Sequence, residues 1–102
     1  MTIIKLLSGM IEEEIHDSER YANLALTHKE DMPKLAELFH RLSRDEMSHA
    51  DLLHDAVVEI IKDYRNQHGD PPSGMLAVYE YLHEKQIAET AKVKTLQNMF
   101  TE

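Results

Sequence analysis

Three residues pose the chemical question: Glu14, then Glu46 with His49 three positions further on. A Glu-x-x-His step puts a carboxylate and an imidazole on one face of a helix, near enough to share a cation. Those donors together suit iron or manganese. The step alone is common in acidic helices, and Glu14 is what gives it weight. Glu14 lies 14 residues before His28, and the midpoint of Glu46 and His49 lies about as far beyond Pro33. A helical hairpin turning between His28 and Pro33 therefore sets all three about 21 Å from the turn, at one level. An isolated carboxylate in a core costs several kcal/mol, and a bound cation offsets that cost. The competing reading is a metal-free hairpin in which the same Glu and His side chains hydrogen-bond each other.

The elements that must position these residues follow from periodicity. Apolar residues recur at helical spacing along nearly the whole chain, and only Thr2 to Leu7 is ambiguous, so the expected class is all-α. A first helix is expected from about residue 2, or from Ser8 if Gly9 breaks it, to about residue 29. Asp31-Met32-Pro33 punctuates the chain, and a second helix is expected over about 33–66. Residues 67–74 read as a linker, with Asp70 or Ser73 capping a third helix over about 74–100. The short first connection makes the first two helices antiparallel neighbours. Positions 7, 11, 14, 18, 21, 25 and 28 and positions 35, 39, 42, 46, 49, 53, 56 and 60 are expected to form the bundle-facing seam, with Glu14, Glu46 and His49 interrupting it.

Composition narrows the chemistry. The chain has 102 residues, 42% of them hydrophobic, which suffices for one modest domain and leaves it marginal alone. A core shared between copies is expected. The absence of cysteine excludes disulfides, thiolate metal sites and thiol nucleophiles, so any metal needs His and carboxylate ligands. A formal net charge of −8 disfavours nucleic acid and anionic membranes as partners. No apolar run reaches the length of a membrane span and no signal-peptide cleavage pattern follows the start, so a cytoplasmic protein is expected.

One Glu on a helix and a Glu-x-x-His on its neighbour make half of the di-metal carboxylate constellation built into four-helix bundles. A second copy related by a two-fold axis supplies the other half. The expected partner is therefore the chain itself, as a homodimer or a higher even-numbered oligomer.

Two stretches carry a resemblance. Glu14-Ile15-His16-Asp17-Ser18-Glu19-Arg20-Tyr21 is similar to the Glu-x6-Tyr of ferritin-like first helices. Arg44-Asp45-Glu46-Met47-Ser48-His49-Ala50-Asp51 resembles the Asp-Glu-Met-x-His-Ala-Asp of bacterioferritins. The likeness to the ferritin-like superfamily covers about residues 10–64. It implies that Glu14, Glu46 and His49 are iron ligands, that Tyr21 stands as a phenol behind the carboxylates, and that a di-iron centre shared between subunits oxidises Fe(II). Bacterioferritins and rubrerythrins carry a second helix pair with another Glu-x-x-His, which this chain lacks. Its layout looks more like the half-bundles of encapsulated ferritins, although Gln97 to Glu102 does not resemble their targeting tail, so an encapsulin shell is not an expected partner. The alternatives to an oxidase are a metal-binding protein without turnover and a purely structural oligomerisation module.

Other residues have plainer expectations. Met47 matches the haem-ligating methionine of bacterioferritins, but methionine is chiefly a packing residue and haem is not expected. His16, His28, His40, His54, His68 and His83 are expected at the surface or at helix ends. Gln86 and Glu89, on a third-helix stripe with Tyr79, Leu82, Val93, Leu96 and Phe100, are expected to meet another subunit, with a further metal-ligand position as the alternative. Glu12-Glu13-Glu14 is expected to be a solvated helix start.

Overall fold

Apolar and small residues at steps of three and four extend from Ile4 to Phe100, and the chain answers that period with helix throughout. The computed structural model describes residues 2–102 and holds α1 (Thr2–Thr27), α2 (Pro33–His68) and α3 (Ser73–Thr101), with no strand among the described residues. The class is all-α, a helical hairpin plus a third helix. No helix among the described residues is long and apolar enough to cross a membrane. The molecule measures 56 × 19 × 18 Å, its length matching the roughly 54 Å of a 36-residue helix.

Helix ends fall where local chemistry puts them. α1 starts at Thr2 and runs through Gly9, because Ile4, Ser8, Ile11 and Ile15 are all buried and their packing outweighs the ~1 kcal/mol that an interior glycine costs. It ends at Thr27, two residues earlier than expected. The turn is closed by Met32 N–H donating to the His28 carbonyl, with His28 beside Asp31 at 3.3 Å. Pro33 occupies the first turn of α2, where its missing N–H is harmless. α2 runs to His68 and stops at Gly69, whose φ of 77° leaves the helix while its N–H still bonds the Arg65 carbonyl. Neither Asp70 nor Ser73 caps α3. Pro72 stands at that position and accepts from Leu76 N–H, so Ser73 is already helical.

The core differs from the expected seam by about one residue. The buried stripes are Ile4, Ser8, Ile11, Ile15, Ser18, Ala22 and Ala25 on α1 and Ala36, His40, Ser43, Met47, Ala50 and Val57 on α2. Only Ile11, Ser18 and Ala25 belong to both sets. The reason is size: alanine and serine let the two helix backbones approach, and bulkier neighbours are displaced to one flank. At mid-hairpin Ser18 Oγ donates to the Ser43 carbonyl (2.6 Å) and Ser43 Oγ donates to the Ser18 carbonyl (2.7 Å). Gln97 Nε2 adds a bond to Ser43 Oγ at 2.9 Å.

α3 packs mainly on α1 and runs parallel to it. Gln86 Nε2 donates to the Ser8 carbonyl, Gln97 reaches Ser43, and Lys29 Nζ donates to the carbonyl of Glu102. Val93 is fully buried, and Phe100 stacks on His40 with ring centroids 4.5 Å apart. The third-helix stripe thus faces the chain's own hairpin, correcting the expectation of an intersubunit contact for Gln86.

The opposite flank of the hairpin has no helix over it. Half-buried Leu7, Glu14 and Tyr21 of α1 share it with Leu35, Phe39, Leu42, Glu46 and Leu53 of α2, and exposed Leu6 and Leu38 lie beside them. The face is apolar along most of its length.

Ser43→Ala removes the bond donated to the Ser18 carbonyl and leaves Gln97 only its longer 3.5 Å contact with Ser18 Oγ, so it should lower unfolding free energy by about 1 to 3 kcal/mol. Denaturant titration of wild type and variant checks this, with an unchanged slope expected.

Candidate metal centre

The register of the hairpin builds the site. Ser18 lies opposite Ser43, and moving one turn along each helix brings Glu14 level with the stretch between Glu46 and His49. The three side chains meet as the spacing predicted. His49 Nδ1 stands 3.6 Å from Glu14 Oε2 and 3.9 Å from Glu46 Oε2. One ligand atom from each residue lies within 4.8 Å of the others. The cluster sits on the open apolar flank, with Glu14 and Glu46 about three-quarters covered and His49 55% exposed, so it is reached from the side that no helix of the chain covers.

Its electrostatics is unfavourable without a cation. Glu46 is pushed up to about 7, first by a side-chain hydrogen bond with Glu14 that favours its protonated form, then by burial and the charge of Glu14, against a smaller opposing effect of His49. Apart from that contact with Glu46, Glu14 Oε2 is closed to solvent and meets no hydrogen-bond donor of the chain. Two carboxylates and an imidazole converging on an orphaned oxygen fit a divalent transition ion, whose charge replaces the proton between the carboxylates.

Tyr21 lies on the same flank two turns from Glu14, its ring stacked on Phe39 at 6.2 Å. No hydrogen bond joins its hydroxyl to either carboxylate among the described residues. Met47 is buried in the main core, packed with Ile11, Ile15 and Ala50.

Several expectations for the remaining polar residues need correction. Because α1 begins at Thr2, Glu12 to Glu14 lie well inside it and cannot serve as its first turn. Glu12 is instead turned toward α3, where it meets Glu89 and His16 as a second group with ligand atoms within 4.8 Å. His16 is exposed as expected, yet it stands 3.4 Å from Glu89, a partner 73 residues away that periodicity could not supply; its spacing of four from Glu12 was the one available signal. Glu89 accordingly faces α1 rather than another subunit. His40 is buried against Phe100 with Nδ1 unpartnered, and burial first, then Arg44, lowers its pKa. His54 and His83 are partly buried and hydrogen-bonded to each other, Nε2 to Nε2 at 3.0 Å, across α2 and α3. His28 and His68 do lie at helix ends.

In comparison with known families, the rubrerythrin family model matches residues 5–102. No curated protein and no solved structure matches the chain.

A pH dependence follows for the metal-free protein. Glu46 binds its proton more tightly folded than unfolded, so between about pH 4.5 and 7 the native state holds more protons and stability falls as pH rises. Above about 7 this contribution is gone. Denaturant midpoints measured across that range should decline in wild type, and Glu46→Gln should flatten the decline.

Proposed function

Since the chain belongs to the rubrerythrin family, we propose that two copies join their open hairpin flanks into a four-helix bundle and that Glu14, Glu46 and His49 of each copy together bind two iron ions and oxidise Fe(II) to Fe(III). One observation carries this reading. The three ligand-type residues stand at the middle of an apolar face that has no cover within the chain, so the surface and the ligand set are both incomplete in the same place.

A single hairpin offers three side chains, which could hold one ion with its other positions open but not a pair of ions. A facing copy doubles the donors to four carboxylates and two imidazoles and buries Leu7, Tyr21, Phe39 and Leu53 at the same time. Carboxylates are hard ligands that favour Fe(III) over Fe(II). Two Fe(II) supply the two electrons that reduce one peroxide, with two protons, to two waters, or dioxygen to the peroxide level. Glu46, whose proton is held near neutrality, releases it as the cation enters. His49, the most exposed of the three, is the ligand an entering ion meets first.

Anaerobic titration should find two Fe(II) per dimer, and admission of air should oxidise them faster than buffer does, over repeated additions. His49→Ala or Glu46→Ala should weaken binding and slow oxidation at least tenfold with helicity retained, and Glu14→Ala should do likewise. Sedimentation should show Fe(II) favouring the dimer. Tight binding without repeated oxidation would place the chain among the metal-binding alternatives; no binding at all would leave a structural module.

A further inference from the structure

α1 carries ligand-type residues on two sides. Glu12 and Glu14 are two positions apart, which at 100° per residue directs them about 200° apart around the helix. Glu14 looks to the open flank and Glu12 to α3. There the anchoring of α3 forces two acids together: Gln86 is bonded to the Ser8 carbonyl, and one turn further along both helices Glu89 arrives beside Glu12. His16, the next turn of α1, places Nε2 3.6 Å from Glu12 Oε2 and 3.4 Å from Glu89 Oε2.

The carboxylates are poorly compensated. Both oxygens of Glu12 and Oε2 of Glu89 are shut off from solvent and meet no N–H or O–H donor from the rest of the chain; burial first, then a hydrogen bond between the two carboxyls, holds Glu89 above the usual carboxylate range. Lys85 is the nearest fixed positive charge, at 3.9 Å from Glu12 and 3.7 Å from Glu89, beyond hydrogen-bonding distance and on a half-exposed, flexible stem. Two turns on, the Lys92 to Glu19 pair closes to 2.8 Å, so this helix interface can form a tight ion pair where the partners are only two. At Glu12 three buried oxygens converge instead, with an imidazole nitrogen at their edge. Buried polar atoms left unpaired cost about 1 to 3 kcal/mol each, and more when charged. A cation coordinated by all three residues satisfies them at once.

The geometry points to a second metal site, one per chain, in which Glu12, His16 and Glu89 bind a divalent first-row transition ion of the Zn²⁺ or Fe²⁺ kind and tie α3 to α1. The site lies within one chain and across α1 from the Glu14 group, so it does not depend on dimerisation or on oxidase activity. One imidazole and two carboxylates are ligands for such ions rather than for Ca²⁺ or Mg²⁺, which prefer oxygen alone. With three protein ligands the remaining positions go to water, since His16 lies at the surface. Lys85 competes for the same carboxylates and is displaced when the ion binds.

The test removes the first centre before looking for the second. In a full-length Glu46→Ala, His49→Ala background, calorimetric titration with Zn²⁺ should show one saturable equivalent per chain, and Co²⁺ should bind with the visible absorption of a mixed nitrogen and oxygen set. Adding His16→Ala or Glu89→Gln to that background should weaken Zn²⁺ at least tenfold, with far-ultraviolet circular dichroism unchanged. Lys85→Ala should tighten it several-fold, an effect that a plain ion-pair cluster would not produce. Absence of saturable Zn²⁺ binding in the background, or affinity indifferent to His16→Ala and Glu89→Gln, overturns the assignment. Neither result bears on the Glu14 group, which is tested separately by iron binding to the chain with His16 and Glu89 changed and Glu46 and His49 intact.

Discussion

The arrangement of this chain depends on a pair of serine hydroxyls exchanged between two helices. Ser18 and Ser43 each donate to the other's backbone carbonyl, and both are wholly buried. Such bonds form only when helix backbones lie close, which is why alanines and serines line the seam. They also fix the sliding position of one helix against the other: displacing α2 by a single residue would break both bonds and move Glu46 and His49 away from Glu14. Gln97 ties α3 into the same point, so the positions of all three helices are referred to one polar contact.

The chain resolves its two kinds of polar interior differently. At Ser18 and Ser43 every donated hydrogen finds an acceptor, and the contact is satisfied without help. At Glu14 and at Glu12 carboxylate oxygens are covered and left without donors. Natural interiors tolerate few such atoms, and among the described residues they occur beside an imidazole, apart from the ring nitrogen of His40. The distinction separates what holds the fold from what awaits a charge.

The helical class, the hairpin and the meeting of Glu14 with Glu46 and His49 were legible in the sequence, because a short turn and a fixed rise per residue determine which levels of two antiparallel helices coincide. The identity of the buried stripe was not. Counting large apolar residues selects Leu7, Leu35, Phe39 and Leu53, while the closest contact belongs to Ala22, Ala25, Ala36 and Ser43, whose small side chains give no hydropathy signal. α3 was the least readable element. Its apolar residues are scattered around the helix and it uses Gln86, Glu89 and Gln97 to meet the hairpin, so its polar side looked like an outer surface. The pairings of Glu89 with His16 and of His83 with His54 span long stretches of chain and leave no local trace.

The five residues between Thr27 and Pro33 also set an order of folding. Closing so short a loop costs little chain entropy, and contacts between α1 and α2 can then accumulate from the turn outward, each adding to its neighbour. α3 has no such advantage: it docks beside α1, whose start lies some seventy residues earlier in the chain, and must wait until the hairpin offers a surface. The Glu14 group therefore takes shape with the early hairpin, whereas the Glu12 group appears only when the last helix arrives. A chain paused between these stages would already hold Glu14, Glu46 and His49 together while its final third remained unpacked.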